Sequence, residues 1–416
     1  MAALNYFLSL GSSVVMPVII TILGLILGEK LSKAFRAGMT IGVGFIGISL
    51  VTGLLGDYIS PAAQAMVARF GLNLEVVDVG WPVSSSIAFS TNIVPFVFLT
   101  CFVLNIIMLM TNFTKTLNID FWNYWHFVLT GALIQFATGS MIAGVIGSAI
   151  TFVIIMKFAD ITAPHVQSYF GLPNVSLPHT ETVTWAPIFL GLEKLYDKIP
   201  GFNKIKMDGD TIQKKVGIFG EPIMLGLILG ILLGVLAGYD FPGIVSLGVN
   251  MAAVMFILPR MVKILMEGLM PLSEDAKAFM AKRFPGKEVY IGLDAAVGTG
   301  SPMVVACSLI MIPVTLLLAF ILPGNKLLPL VDLATLPFFC IWPIVAHKGN
   351  LFRGLISSTL MVIGILYIAT DLSGVATTVA QSTQFAFPEG ASMISSMDIG
   401  AHLVPYIIYK IFGIFL

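Results

Sequence analysis

The chain repeats one pattern of sequence at a nearly constant distance along its length. Residues 21–28 read TILGLILG, and residues 231–238, which lie 210 positions later, read ILLGVLAG. Residues 118–122 and 330–334 match in the same way at an offset of 212 positions. Internal duplication on this scale is typical of secondary transporters, which bind their substrate between two structural repeats. The sequence therefore predicts two related halves with a binding site where they meet.

Composition places these halves in a membrane. Hydrophobic residues make up 57% of the chain and charged residues 11%, whereas a soluble domain has about 25% charged residues. Several apolar runs approach, with their small flanking residues, the roughly 20 residues that cross a bilayer. They cover residues 15–28, 94–110, 141–156, 223–237, 303–322 and 355–368. We therefore predict an all-α polytopic protein in contact with lipid. Its first helix is expected to be a permanent span, because residues 1–11 lack the basic start of a signal peptide.

Several function classes lack support in the sequence. The net charge is zero and no basic tract occurs, so no nucleic-acid partner is expected. Cys101, Cys307 and Cys340 all lie in apolar runs, which predicts small core residues instead of disulfides or ligands. Histidines and carboxylates show no metal-ligand spacing, and neither a P-loop nor a G-x-S-x-G elbow is present. We expect no catalytic residue, no cofactor and no metal.

Positive charge alternates between equivalent loops of the two halves. Residues 29–38 hold three lysines and arginines, and their counterpart 239–246 holds none. In the next pair of equivalent loops the difference is reversed. Residues 53–78 hold one lysine or arginine, and residues 259–290 hold six. Because cytoplasmic loops carry the excess of lysine and arginine, equivalent loops face opposite sides and the repeats are inverted.

This charge pattern predicts about five spans in each repeat and about eleven in total. The predicted boundaries are 1–190 for the first inverted repeat, 191–215 for a cytoplasmic linker, 216–397 for the second inverted repeat and 398–416 for a C-terminal transmembrane helix. A surface helix is expected at residues 273–278.

Four segments are too rich in glycine, proline and small polar residues to be simple spans. They cover residues 80–92, 160–184, 292–303 and 371–398. Such backbone cannot face lipid, so we predict re-entrant hairpins that line a cavity. Their helix ends offer free N–H and C=O groups, which suit a neutral polyol.

Ionisable residues at membrane depth are candidate functional residues because burying them is costly. Asp294 is either a helix cap or an acceptor for substrate hydroxyls. His179 either contacts substrate or makes a structural hydrogen bond, and Glu181 is a weaker candidate.

Three further positions leave two interpretations open. His126 shares a helix face with Thr130, although nearby tryptophans also fit an interfacial aromatic belt. Glu221 is more readily a helix cap or hinge than a substrate contact. His402 has a weaker case, because Asp398 four residues earlier makes a local pair the simpler interpretation.

Seven motifs resemble the enzyme IIC subunit of the galactitol branch of the bacterial phosphotransferase system. They lie at residues 123–127, 159–167, 177–179, 292–302, 322–325, 332–339 and 348–353, and the resemblance runs from about residue 11 to 406. It implies a homodimeric inner-membrane permease related to the ascorbate permeases, with a V-motif domain for dimerisation and a moving core domain. The expected polyol contacts are Ala88, Phe89, Ser90, His126, Leu129, Thr130, His179, Thr180 and Asp294, with Glu181 and Glu221 as further possibilities.

The chain departs from both branches at some of these positions. The ascorbate family has amide side chains where Thr130 and Thr180 stand here, which argues against ascorbate as the ligand. Thr180 and Glu181 follow the Leu-Pro-His motif where the galactitol branch usually has glycine, which bears on the identity of the sugar.

The resemblance also implies group translocation. A separate IIB protein, recharged by IIA, phosphorylates the bound polyol from its phosphocysteine, so the phosphoryl donor residue is not on this chain. The basic segments 193–215 and 259–290 are the expected docking surface for IIB. The alternative is an ion-coupled secondary transporter of a polyol or sugar acid. An intramembrane hydrolase and a channel have less support.

The inverted topology predicts the sides on which introduced cysteines react. A cysteine that replaces Asp240 should be labelled from outside the cell, and one that replaces Lys33 only after the membrane is opened. Labelling of intact cells with a membrane-impermeant maleimide measures this, and two cysteines on the same side would contradict the inverted arrangement.

Overall fold

The computed structural model describes residues 12–26, 28–70, 75–120, 122–205, 207, 222–283, 288–329, 331–383 and 392–414. Its first half contains α1 (Ser12–Ile26), α2 (Leu31–Phe70), β1 (Val76–Asp78), α3 (Gly80–Ser90), α4 (Val94–Met110), β2 (Thr116–Asn118), a 3-10 turn (Trp122–Tyr124), α5 (Trp125–Thr138), α6 (Met141–Phe170), β3 (Val175–Ser176), α7 (Thr180–Val183) and α8 (Ala186–Tyr196). A further 3-10 turn, Phe202–Lys204, follows.

The second half contains α9 (Pro222–Ala237), α10 (Phe241–Arg283), β4 (Tyr290–Gly292), α11 (Ala296–Thr299), α12 (Pro302–Ile321), β5 (Leu327–Leu328), a 3-10 turn (Asp332–Thr335), α13 (Leu336–Ala346), α14 (Leu351–Ser382), β6 (Met393–Ser395), α15 (Met397–Ala401) and α16 (Leu403–Gly413). Helices, strands and 3-10 turns therefore follow one another in the same order in residues 12–196 and 222–413.

The six short strands form two parallel sheets that join the halves. In one sheet β1 lies between β5 and β6, and in the other β4 lies between β2 and β3. Val76 pairs with both Leu327 and Met393. Each half thus places its first strand between the second and third strands of the other half. The exchange supplies hydrogen-bond partners to backbone that would otherwise be unpaired inside the protein.

A side-chain amide completes the edge of the second sheet. Asn105 on α4 donates from Nδ2 to the Thr116 carbonyl at 2.9 Å and accepts from the Asn118 N–H at 2.9 Å. Asn105 is 2% exposed. The outer edge of β2 is therefore closed to further strand pairing.

Two of the predicted loops are parts of long helices. α2 has 40 residues and α10 has 43, so each is about 60 Å long, roughly twice the thickness of a bilayer core. The interpretation of residues 53–70 and 259–283 as loops was wrong, because a helix that projects beyond the membrane can carry charges without unfolding. The surface helix predicted at residues 273–278 is part of α10.

Two of the four predicted broken segments are broken only in their second part. Residues 160–170 continue α6 and residues 371–382 continue α14. The irregular backbone begins after Phe170 in the first case, and residues 384–391 in the second lie outside the described part. The segment 80–92 forms α3 and the first part of the turn at residues 91–93, which leads into α4.

Three helices of the described part are long and apolar enough to cross a membrane, namely α6, α12 and α14. Helices α4, α13 and α16 and parts of α9 and α10 are apolar but shorter. Large apolar side chains such as Leu99 and Ile142 are more than 60% exposed, as expected for surfaces that face lipid. The fold thus agrees with a polytopic helical membrane protein, and the count of about eleven spans stays a prediction.

Candidate functional site

Six buried carboxyl groups lie where short helices begin. Each lies within two residues of the first residue of a short helix or 3-10 turn, and each residue is at most 9% exposed. They are Asp78, Asp120, Glu181, Asp294, Asp332 and Asp398. Helix starts have unpaired N–H groups and a positive dipole end, so carboxylates are favoured there.

Some of these carboxyl groups hold the backbone of the two halves together. Asp78 accepts hydrogen bonds from the N–H groups of Gly80, Val331 and Asp332 at 2.8–3.0 Å. Asp332 in turn accepts from the N–H of Trp81 at 2.8 Å and of Asp398 at 2.9 Å. Because the bonds to Val331, Asp332 and Trp81 cross between the halves, both aspartates have a structural role.

Three of the other carboxyl groups, those of Glu181, Asp294 and Asp398, lie beside three histidines. His126 Nδ1 lies 2.6 Å from His402 Nε2, and the rings of His126 and His179 are 4.8 Å apart in an edge-on arrangement. His179 Nε2 lies 3.8 Å from Asp294 Oδ1, and His179 Nδ1 lies 3.7 Å from Glu181 Oε2. The structure therefore brings His126, His179, Glu181 and Asp294, which the sequence suggested separately, into one cluster.

Aromatic rings enclose the histidines. Trp125 stacks on His126 with ring centres 4.1 Å apart, and Phe338 stacks on His179 at 5.8 Å. Trp125 is 1% exposed, so it is a packing partner of His126 and not part of an interfacial belt.

Several polar atoms of the cluster lack a hydrogen-bond partner. All belong to residues that are at most 3% exposed. They are His126 Nε2, His179 Nδ1, Thr180 Oγ1, Glu181 Oε1 and Asp398 Oδ1. A buried polar atom without a partner costs about 1–3 kcal/mol, so a group of them is a candidate place for a ligand or ordered water to bind.

Asp294 has one of the two roles that the sequence left open, that of a helix cap, and its role as an acceptor for substrate hydroxyls stays a prediction. Its Oδ1 accepts the Ala296 N–H at 2.8 Å, which makes it a cap for α11. Its side chain is 11% exposed, compared with 4% for His179 and Glu181. Asp294 is therefore the most accessible of these three side chains.

Among the other predicted contacts, Thr130 has a hydrogen bond to a residue of the cluster. Leu129 is 3% exposed, and Thr130 donates to the His126 carbonyl at 2.8 Å. Ala88 is buried and Ser90 exposed at the end of α3, where Phe89 also lies. The substrate contacts of these five residues stay predictions. Glu221 lies outside the described residues.

Sequence reasoning gave too little weight to Asp398 and His402. His402 Nδ1 does bond locally, to the Asp398 carbonyl at 2.6 Å, but its other nitrogen reaches His126 in the first half. The repeat itself could have revealed Asp398, because it is the second residue of α15 and Glu181 is the second residue of the corresponding helix α7.

Two overlapping sets of side chains offer donor atoms within 4.8 Å of one another, close enough to consider a metal ion. They are His126, Asp398 and His402, and His126, His179 and Glu181. In the first set His126 and His402 already bond to each other. The expected absence of a metal stays a prediction.

An apolar crevice lies elsewhere, between α9, α10 and α12. Leu233, Met251 and Ile312 are among the residues that line it. None of its lining residues belongs to the polar cluster, and apolar side chains cannot orient a hydroxylated ligand.

Comparison with known proteins connects this geometry with a family. The model of the EIIC-GAT family, described as "PTS system sugar-specific permease component", matches residues 6–390. The chain is 41% identical over 414 residues to the galactitol-specific EIIC component of the phosphotransferase system of Escherichia coli K12, an alignment that covers 99% of this chain and 90% of that one. It is 42% identical over 396 residues to a putative permease IIC component of the same strain, covering 95% and 91% respectively.

The two kinds of carboxyl group should differ in their effect on stability. Asp332→Ala leaves the buried N–H groups of Trp81 and Asp398 without an acceptor, at about 1–3 kcal/mol each. Asp294→Ala removes the acceptor of one N–H group, that of Ala296, at a more accessible position. It should therefore lower the free energy of unfolding by less. Thermal unfolding of the purified variants in detergent measures the difference, and equal melting temperatures would contradict the structural role of Asp332.

Proposed function

This chain belongs to the family of sugar-specific permease components of the phosphotransferase system, and we propose that its substrate is a neutral polyol, with galactitol as the first candidate. The main support for this substrate is the chemistry of the polar cluster. Its unpartnered carboxylate oxygens only accept hydrogen bonds when ionised, and within the described part no lysine or arginine forms an ion pair with its carboxyl groups.

A polyol suits such a cluster because each of its hydroxyl groups can donate one hydrogen bond without adding charge. Glu181 and Asp398 lie close enough to interact with each other. Two neighbouring carboxylates repel unless a donor lies between them, and a hydroxyl group is such a donor. A sugar acid or a phosphorylated polyol would bring further negative charge into a buried acidic site, which is costly.

Galactitol is proposed because a relative that covers nearly the whole chain is named for it. Thr180 and Glu181 are proposed as contacts that distinguish this chain within the galactitol branch. Both have an unpartnered buried oxygen beside His179.

The halves are proposed to be inverted repeats with the boundaries 1–190, 191–215, 216–397 and 398–416. The identical order of elements and the reciprocal strand exchange support a duplication. The order also pairs α16 with α8, so it places the last helix within the second repeat, although the boundary at residue 397 separates that helix from it.

Two packed groups of helices support a division into a V-motif and a core domain. α1, α2, α9 and α10 pack against one another. The contact between α9 and α10 is close, because a Cβ atom on Gly230 would lie 2.7 Å from the Cα of Gly248, and small residues allow such approach between membrane helices. We propose that this group forms the homodimer and that the remaining helices carry the polar cluster across the inner membrane in an elevator movement.

Phosphorylation is proposed to occur on a separate IIB protein docked at the cytoplasmic side, with IIA as its phosphoryl source. Exposed lysines 194, 198 and 204 near the linker and Arg260 and Lys263 on α10 provide positive charge for this contact. The permease contributes by holding the acceptor hydroxyl in place for the donor.

The energy source of uptake tests the proposed class. In vesicles that also contain IIA, IIB and the general phosphotransferase proteins, galactitol uptake should require phosphoenolpyruvate and persist after a protonophore is added. Uptake that ignores phosphoenolpyruvate and collapses with the proton gradient would instead establish the ion-coupled alternative.

Binding measurements test the proposed site. Asp294→Asn and His179→Ala should each weaken galactitol binding about tenfold, the equivalent of about 1.4 kcal/mol, because each removes a polar partner from the cluster. Calorimetry on the purified protein gives the dissociation constants, and His165→Ala, an exposed position on α6, is the matched control. Unchanged binding in both site variants would remove this assignment, and tight binding of galactitol phosphate would remove the preference for a neutral ligand.

A further inference from the structure

The hydrogen position on His402 follows from its local bond. His402 Nδ1 lies 2.6 Å from the backbone carbonyl oxygen of Asp398. A carbonyl oxygen only accepts hydrogen bonds, so His402 must donate from Nδ1. In the neutral imidazole the other nitrogen, Nε2, then has no hydrogen and is an acceptor.

The same reasoning extends to His126. His126 Nδ1 lies 2.6 Å from His402 Nε2, and a bond between two ring nitrogens needs one hydrogen. Since His402 Nε2 accepts, His126 Nδ1 carries that hydrogen. The remaining nitrogen of His126, Nε2, is left with a free lone pair, and it is buried without a partner.

We propose that His402 is a positioning residue, which holds His126 in the tautomer whose Nε2 accepts a hydrogen bond from a polyol hydroxyl. The inference rests on the proposed function and adds a residue that makes its contribution through His126. It also connects the halves, because His126 belongs to α5 and His402 lies between α15 and α16.

The surroundings keep the pair in this arrangement. Trp125 stacks on His126 at 4.1 Å and meets His402 edge-on at 6.0 Å. The Asp398 N–H that begins this chain of contacts is itself held by Asp332 Oδ2 at 2.9 Å. The carboxylates with a structural role thus fix which ring nitrogen of His126 carries the hydrogen. Residues behind the ligands of a metal site fix histidine tautomers in the same way.

The tautomer has a consequence for recognition. As an acceptor, His126 Nε2 requires a hydroxyl hydrogen from the ligand, as does whichever oxygen of the Glu181 and Asp398 carboxyl groups is not used in the hydrogen bond between these two side chains. Each hydroxyl group has one hydrogen to donate, so each acceptor uses a different hydroxyl. The cluster therefore favours a ligand with several adjacent hydroxyl groups.

Nitrogen NMR on the full-length protein tests the inference directly, because the chain has five histidines and the two neutral tautomers give different ¹⁵N signals. With ¹⁵N-histidine at neutral pH, His126 should carry its hydrogen on Nδ1 in the unsubstituted protein. In His402→Leu this preference should be lost, and in His402→Gln it should return, because the amide oxygen can accept from His126 Nδ1.

Galactitol binding should follow the tautomer. We expect His402→Leu to bind about tenfold more weakly and His402→Gln to remain within about threefold of the unsubstituted protein. His165→Leu is the control and should change neither measurement.

The two proposals fail in distinguishable ways. A hydrogen on His126 Nε2 in the unsubstituted protein, or an unchanged tautomer in His402→Leu, would overturn the role of His402 even where galactitol binds. This role also falls if His402→Gln does not regain the Nδ1 tautomer. Absence of galactitol binding together with the expected tautomers would overturn the proposed substrate alone. Should His402→Leu fail to fold, the unsubstituted protein and His402→Gln still decide the matter.

Discussion

The reciprocal exchange of one strand between the halves is the constraint on which the rest of the structure depends. Backbone at membrane depth must find hydrogen-bond partners within the protein. Here β1 inserts between β5 and β6, and β4 inserts between β2 and β3. Neither half can complete its sheet alone. Since short helices begin directly after the strands, the exchange also brings helix starts from both halves to one place.

Those helix starts explain why an apolar protein contains a buried acidic cluster. Each start attracts a carboxylate, and Asp78 and Asp332 bind backbone N–H groups of the other half as well as of their own. Glu181 and Asp398 keep an oxygen without a donor. One physical feature, the unpaired N–H groups of helix starts, thus accounts for both the connection of the halves and the acceptors available to a hydroxylated ligand.

The candidate site was partly predictable from the sequence. The cost of burying ionisable side chains was enough to suggest His126, His179, Glu181 and Asp294. These four residues do lie together in the structure. His402 seemed explained by its neighbour Asp398, and the local bond exists. Its bond to His126, 276 positions away in the chain, has no local signal. The same limit applies to the long helices α2 and α10, where charge was taken for a loop although a projecting helix carries it equally well.

The sequence by itself determined the membrane class and the polar residues that need partners, and it predicted a duplication, because composition, periodicity and burial cost are properties of local sequence. Only the tertiary structure decided which strands pair, which carboxylates bind backbone N–H groups, and which nitrogen of His126 is left without a partner. These outcomes depend on contacts between residues hundreds of positions apart, such as Val76 with Met393. Hydrogen bonds between residues so far apart in the chain depend on the geometry of the whole fold, since each group can bond only to the partners that folding places beside it.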